Sequence, residues 1–320
     1  MLSKKIAFFS ALGLISFAAH GAAVEFDRDR WYEVLHDIQA KAVEQGISGK
    51  TINRVIQESN FIPEVIRRDQ NQPEFTITMA RYLSNTVRPA RIEAGRAAAR
   101  RYRTLLARTE ERYGVPRHVI LAFWGMESDF GAFKSQYQLS DSFLTLIYDG
   151  RRGTFFTNQL MAIMRIVDKN NLNIREVEGS WAGAMGHFQF IPTTLEQYGR
   201  DGDGDGKIDI INNLPDAMAS AGNFLRRLGW DRTQRIVREV KLPEGFDMGF
   251  CDAKTKKHLN AWRRMGISGV PQVNRNAGLV CDESVFPRAF LAYDNFYRVK
   301  RWNNSNFYAV AVALLADELR

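Results

Sequence analysis

Apolar positions recur mostly at helical spacing, and the pattern predicts a mainly α protein, α+β in class, with a small β-containing insert. From Phe26 to Arg112 helical patterns alternate with polar breaks such as Gln72-Pro73, which reads as an all-helical lobe. In YGVPRHVILAFWGMESDFG, Pro116 suits a first helical position, and Val119, Phe123, Glu127 and Phe130 follow at spacings of four, four and three. Those spacings trace one face of a 3.6-residue period. Residues 235–286 shift to Val, Lys, Pro and Gly with a strand-like REVKLP, Ala289–Phe296 reads as another strand, and Asn304–Leu319 as a last helix. The expected division is a leader at 1–22, a helical lobe at 23–112 rejoined by the helix at 304–320, a core at 113–230 holding most of the glycines, and a small β-containing domain at 231–303.

The apolar stripe carries a carboxylate, and that changes the picture. Burial disfavours the charged form and raises the pKa, so Glu127 is a candidate general acid. Asp129 cannot share its face, because residues two apart on a helix point in different directions. Only one acid is visible locally.

The first residues, MLSKKIAFFSALGLISFAAHGAA, have the form of an export signal: Lys4 and Lys5, an apolar run from Ile6 to Ala19, and small residues from Ala19 to Ala23. That run is short for a membrane span, and no cysteine near the cut offers a lipid anchor. Loss of the two lysines lowers the formal charge from +8 to about +6, still basic enough to favour an anionic partner. Many arginines lie within Arg88–Arg112, where a solvated helix face is the simpler reading and a basic groove wall the alternative. Export and the lack of a helix-turn-helix, zinc-finger or RNA-binding signature argue against nucleic acid. Cys251 and Cys281 are the two cysteines of an exported chain, so a single disulfide is expected, closing a loop over KTKKHLNAWRRMG.

The run DGDGDGKID from Asp201 matches the first two-thirds of an EF-hand loop, with oxygen ligands at Asp201, Asp203 and Asp205, the turn glycine Gly206 and the carbonyl of Lys207. Hard oxygen ligands on a glycine-rich loop favour Ca2+ over zinc. Position twelve is Asn212 where a bidentate Glu belongs, and Asp216 is the nearest acid able to close the cage. Before this loop, GSWAGAMGHFQFIP (Gly179–Pro192) brings glycines that permit close approach of a ligand or another backbone. In it Gln189 is suited to an amide-bearing sugar, Trp181, Phe188 and Phe190 offer apolar faces, and Ser180 and His187 are polar candidates.

FWGMESDFG, GSWAGAMGHFQFIPTT and the acidic loop, in that order, resemble the membrane-bound lytic murein transglycosylase B family, and the likeness runs from QPEFT through YDGRRGTFF to RWNNSNFYAVAV. The resemblance implies a lysozyme-like core and periplasmic cleavage of the β-1,4 MurNAc–GlcNAc bond of peptidoglycan with a 1,6-anhydro end instead of hydrolysis. It implies Glu127 as sole acid/base, Ser180, Gln189, Asn303 and Tyr308 as substrate contacts, and Asp201, Asp205, Lys207 and Asp216 as Ca2+ ligands. Other cell-wall enzymes are candidate partners, and a monomer is expected. Phe224 and Trp302 stand where that family leads one to expect tyrosines. A lysozyme-like hydrolase and a noncatalytic, calcium-stabilised wall-binding protein are the competing readings.

Overall fold

The structure is a computed structural model and describes residues 25–71, 77–133, 136–282 and 288–320. The leader expected at 1–22 and the Gln72-Pro73 break lie outside the described residues. Along the chain, α1 (Arg28–Glu44), α2 (Gly49–Glu58), α3 (Pro63–Gln70), α4 (Met79–Thr86), α5 (Pro89–Arg101), α6 (Arg103–Tyr113) and α7 (Arg117–Ser128) come first. Next are β1 (Tyr137–Gln138), α8 (Leu139–Asp149), α9 (Gly153–Asn170), β2 (Glu178–Gly179), α10 (Pro192–Tyr198) and α11 (Leu214–Arg227). The last part holds β3 (Val237–Val240), β4 (Lys257–His258), α12 (Leu259–Arg264), β5 (Asn276–Cys281), β6 (Ala289–Ala292), α13 (Asp294–Trp302) and α14 (Asn306–Glu318). Helices dominate, as the pattern predicts, and among the described residues none is long and apolar enough to cross a membrane.

The described residues fall into two compact units, one drawn from Leu12–Glu74 and Gly131–Ala221, the other from Phe75–Phe130 and Gly222–Arg320. In the first, α8 buries every residue from Leu139 to Leu146, and α9 buries Leu160, Ile163, Met164 and Val167. A helix buried all round is stable only inside a core. Around this pair, α1 and α3 pack on α8, and α10 packs on α9. Asp27 and Ser48 cap α1 and α2 by accepting from backbone N–H groups of the first turn.

In the second unit α7 is the centre, packed by α5, α6 and α14. Two features differ from the expected stripe. All residues from Val119 to Ser128 are buried, on every side of the helix. Phe130 lies off the helix: Asp129 and Phe130 adopt left-handed φ of 50° and 60°, and the Phe130 ring folds back so tightly on Gly125 that a Cβ there would meet its Cζ at 2.5 Å. The segment Arg88–Arg112 breaks at Tyr102 into α5 and α6; α5 buries Arg91, Gly95 and Ala98 and leaves Arg96, Arg100 and Arg101 exposed.

The same unit carries an antiparallel sheet in the order β3-β6-β5-β4. The strand expected at Ala289–Phe296 stops at Ala292, because α13 begins at Asp294, where an acid suits the first helical turn. Strand β5 carries no signal in the apolar pattern: NAGLVC is buried from Ala277 to Cys281, so it shows no polar alternation. A disulfide joins Cys281 to Cys251, and α12 lies over the sheet with Trp262 Nε1 donating to the Ala277 carbonyl at 2.9 Å. The final helix starts at Asn306, two residues later than expected, because Ser305 Oγ caps it by accepting from Tyr308 N.

Candidate active site and cation loop

Glu127 sits near the end of α7, 6% exposed. Its Oε1 accepts from Trp302 Nε1 at 3.0 Å and from the Tyr308 hydroxyl in a short bond. Tyr308, on α14, is 1% exposed, and the Trp302 ring, at the end of α13, packs in tilted contact with Phe123 at 4.6 Å and Phe224 at 5.1 Å. Burial pushes the Glu127 carboxyl up to about 7, against the opposing pull of the two donors, which favour its charged form. The carboxyl therefore changes charge near neutral pH, the range in which one group can serve both as acid and as base. Burial and the neighbouring Glu127 charge also push Tyr82 up to about 12.

Asp129, the nearest acid in the chain, is committed elsewhere. As the left-handed C-cap of α7 it bonds Arg88 at 3.1 Å and the buried Arg91 at 2.9 Å, while Arg91 also donates to the Thr86 carbonyl. Among the described residues, the groups hydrogen-bonded to Glu127 are both neutral.

Tyr308, expected among the substrate contacts, is buried, and its hydroxyl bonds Glu127. The bond from Trp302 to Glu127 has no signal in the sequence, because a contact across 175 residues of chain leaves no local pattern. Asn303 is buried in the turn after α13, its carbonyl accepting from Ser305 N at 2.8 Å.

Ser180, Phe188 and Gln189 belong to the other unit. Ser180 Oγ accepts from Ala184 N at 3.0 Å, closing a tight turn. Gln189 holds a left-handed φ of 48° while its side-chain amide donates to the Gly186 carbonyl at 2.9 Å; both it and Ser180 are half-buried. Phe188, expected to face a sugar ring, is 1% exposed and so is a core side chain here. The glycines serve close packing: a Cβ on Gly186 would lie 2.2 Å from the Ile210 carbonyl oxygen, and one on Gly183 2.3 Å from the Phe143 ring.

In the acidic loop, carboxylate oxygens of Asp201, Asp203 and Asp205 come within 4.8 Å of one another. The loop is shaped from within. Asp201 accepts from Gly204 N and Gly206 N, which hold its carboxyl below the usual range, and Asp205 accepts from Lys207 N at 2.8 Å. Asn170 anchors the loop by accepting from Ile208 N. Three like charges this close suit a hard divalent cation, and the donor set fits one. Asp216 is fully buried, and its two oxygens accept from Gly202 N and Asp209 N, both at 2.7 Å, so that it staples the ends of the loop. Burial, with the nearby Asp203 and Asp201 charges, raises its carboxyl.

Known proteins resemble this chain in sequence and in fold. The Escherichia coli membrane-bound lytic murein transglycosylase B is 25% identical over 285 residues, which is 83% of this chain and 77% of its own. SltB3 from Pseudomonas aeruginosa, solved in complex with NAG-anhNAM-pentapeptide, is 36% identical, with a TM-score of 0.84 over 90% of this chain and 79% of its own. The E. coli lytic transglycosylase Slt35, solved in complex with calcium, is 25% identical, with a TM-score of 0.79 over 89% of this chain and 92% of its own. The family model of the transglycosylase SLT domain matches residues 30–317. The chain belongs to that family, and it is a lytic transglycosylase of peptidoglycan, a lyase built on a lysozyme-like, mainly helical fold.

Proposed function

We propose that Glu127 is the only acid/base of the reaction and that the β-1,4 MurNAc–GlcNAc bond is broken without water, leaving a 1,6-anhydroMurNAc end. One observation carries this reading: a buried carboxyl poised near neutral pH, both of whose hydrogen bonds come from neutral donors on a single oxygen. With Oε1 engaged by Trp302 and Tyr308, Oε2 is the oxygen that carries the transferable proton. Glu127 gives that proton to the glycosidic oxygen as the bond to the anomeric carbon breaks with both electrons leaving on the oxygen. Charge at the anomeric carbon is shared by the ring oxygen or the substrate's acetamido group. The Glu127 carboxylate then takes the proton of the C6 hydroxyl, whose oxygen closes on the anomeric carbon. Intramolecular attack of this kind replaces water at high effective concentration. An ordinary glycosidase needs a second flanking carboxylate; here Asp129 is held in ion pairs by Arg88 and Arg91.

Ser180, Gln189 and Asn303 are assigned to the sugar acetamido and hydroxyl groups. Calcium is assigned to Asp201, Asp203, Asp205 and the Lys207 carbonyl, with Asp216 holding the loop's shape. Export to the periplasm as a monomer, with the core at 113–230, completes the reading.

The test is release of soluble muropeptides from sacculi, followed by mass spectrometry, for the wild type and for Glu127→Gln. Anhydro ends are expected, with turnover of the variant lower by about 10²–10⁴-fold or more and sacculus binding retained. Reducing ends would make the enzyme a hydrolase, and near-normal release by the variant would remove Glu127 from the chemistry.

A further inference from the structure

We propose that the exposed arginines of α6 and its surroundings form an auxiliary surface for peptidoglycan, one that takes the carboxylates of the stem peptides and holds the enzyme on the polymer between cuts. The inference rests on the chain acting on peptidoglycan and not on the role given to Glu127.

The distribution of charge is the first argument. In the segments Phe75–Phe130 and Gly222–Arg320 of the unit that contains Glu127, Lys and Arg outnumber Asp and Glu by nearly two to one, whereas in Leu12–Glu74 and Gly131–Ala221 the acids are in excess. The basic character of the chain is therefore a property of one unit. Within it, Phe75–Phe130 holds ten arginines and no lysine. Either residue serves solubility, but only the planar guanidinium meets a carboxylate through two parallel N–H bonds.

The arrangement on the helices is the second argument. Helix α6 buries Leu106, Thr109 and Tyr113 and leaves Arg103, Arg108 and Arg112 exposed, as is Arg101 at the end of α5. None of these four arginines forms an ion pair among the described residues. The acids of the two helices do little to neutralise them: Glu110 pairs with Arg117 at 2.7 Å, Glu93 lies 3.8 Å from Arg100, and Glu111 is a single exposed carboxylate. Arg108 and Arg112 are four apart, so two like charges meet on neighbouring turns, which costs helix stability. Arg226, exposed at the end of α11, donates to the Arg112 carbonyl at 3.0 Å and brings in a further guanidinium. Rings hold two of the cations in place, Arg101 over Tyr102 at 5.2 Å and Arg112 over Tyr113 at 5.5 Å. Like charges kept together without neutralisation call for an anion, and the polymer that the enzyme cuts supplies one. Its stem peptides carry carboxylates repeated along every strand, and weak contacts to a repeating polymer add up to a tether that no single contact makes.

The experiment pellets the full chain with purified sacculi on ice, before release begins, and reads the bound fraction as NaCl is raised. Wild type and Glu127→Gln are expected to bind equally and to be displaced by salt. The triple variant Arg103→Gln, Arg108→Gln, Arg112→Gln keeps helix-forming residues at exposed positions. It is expected to bind about tenfold more weakly, to release muropeptides from sacculi more slowly, and to cut peptide-free glycan strands at the wild-type rate. Sacculi whose carboxyl groups have been converted to amides are expected to hold wild type no better than native sacculi hold the triple variant. Undiminished binding of wild type to amidated sacculi would remove the carboxylates from the proposal, and undiminished binding of the triple variant to native sacculi would leave α6 a solvated face. A variant that loses binding to phosphatidylglycerol vesicles but not to sacculi would make the surface a lipid-facing one and overturn the proposal. Slower cutting of peptide-free strands would place these arginines in the cleavage step and overturn it as well.

Discussion

Two groups of carboxylates in this chain have opposite surroundings. Glu127 is buried and meets only side-chain donors, from Trp302 and Tyr308, and burial carries it up to about 7. Asp201 faces solvent and meets backbone N–H groups of Gly204 and Gly206, which keep it charged. The lesson is that donor number and water access decide whether the same chemical group is a proton carrier or a fixed negative charge. Asp216 lies between the extremes: it is buried like Glu127 but bonded by backbone like Asp201, and burial still raises it.

The contrast is tested most strongly at Glu127 itself. Because its folded value of about 7 exceeds its ordinary 4.5, the folded protein holds that proton more tightly than the unfolded chain. Its contribution to stability is complete below the unfolded value and disappears as pH rises through the folded one, a loss of about 3 kcal/mol. Glu127→Gln should therefore unfold in urea with about 3 kcal/mol more stability than wild type at pH 8 and with equal stability near pH 4. Equal stability at both pH values would show that burial does not raise this group.

The next largest effect lies in the acidic loop. Added calcium at a hundredfold over its dissociation constant should stabilise the chain by about 2.7 kcal/mol, read as a rise in Tm that chelator reverses. A Tm unmoved by calcium would leave the three aspartates a solvated turn. Asp216→Ala should cost about 2 kcal/mol even without calcium, since it leaves the N–H groups of Gly202 and Asp209 without an acceptor. If urea unfolding shows no change, the loop is not held by that carboxylate.

The smallest effect sharpens the role of a single bond. Trp302→Phe keeps a ring between Phe123 and Phe224 but removes one donor to the charged form of Glu127. The alkaline limb of the pH–rate profile should move upward, by about one unit or less. A limb that stays in place would mean that the indole does not hold the ionised carboxylate.

Much of this was legible in the chain. The helical class follows from the period of the apolar residues, and DGDGDG from Asp201 brings its carboxylates together because the glycines and the aspartates are neighbours in sequence. What escaped was non-local or uniform. Strand β5 has no alternation to reveal it, Phe130 leaves its helix because Asp129 turns left-handed under the hold of Arg88 and Arg91, and Phe188 is drawn into a core.

By itself the sequence determined where a carboxylate would be set among apolar residues, and where acidic and glycine residues would form a loop able to receive a cation, since both depend on spacing over a few turns of chain. Only the tertiary structure decided that Trp302 and Tyr308 would share one oxygen of Glu127 and that Asp216 would staple the loop. Hydrogen bonds between residues distant in the chain are set by packing, and packing is a property of the whole fold.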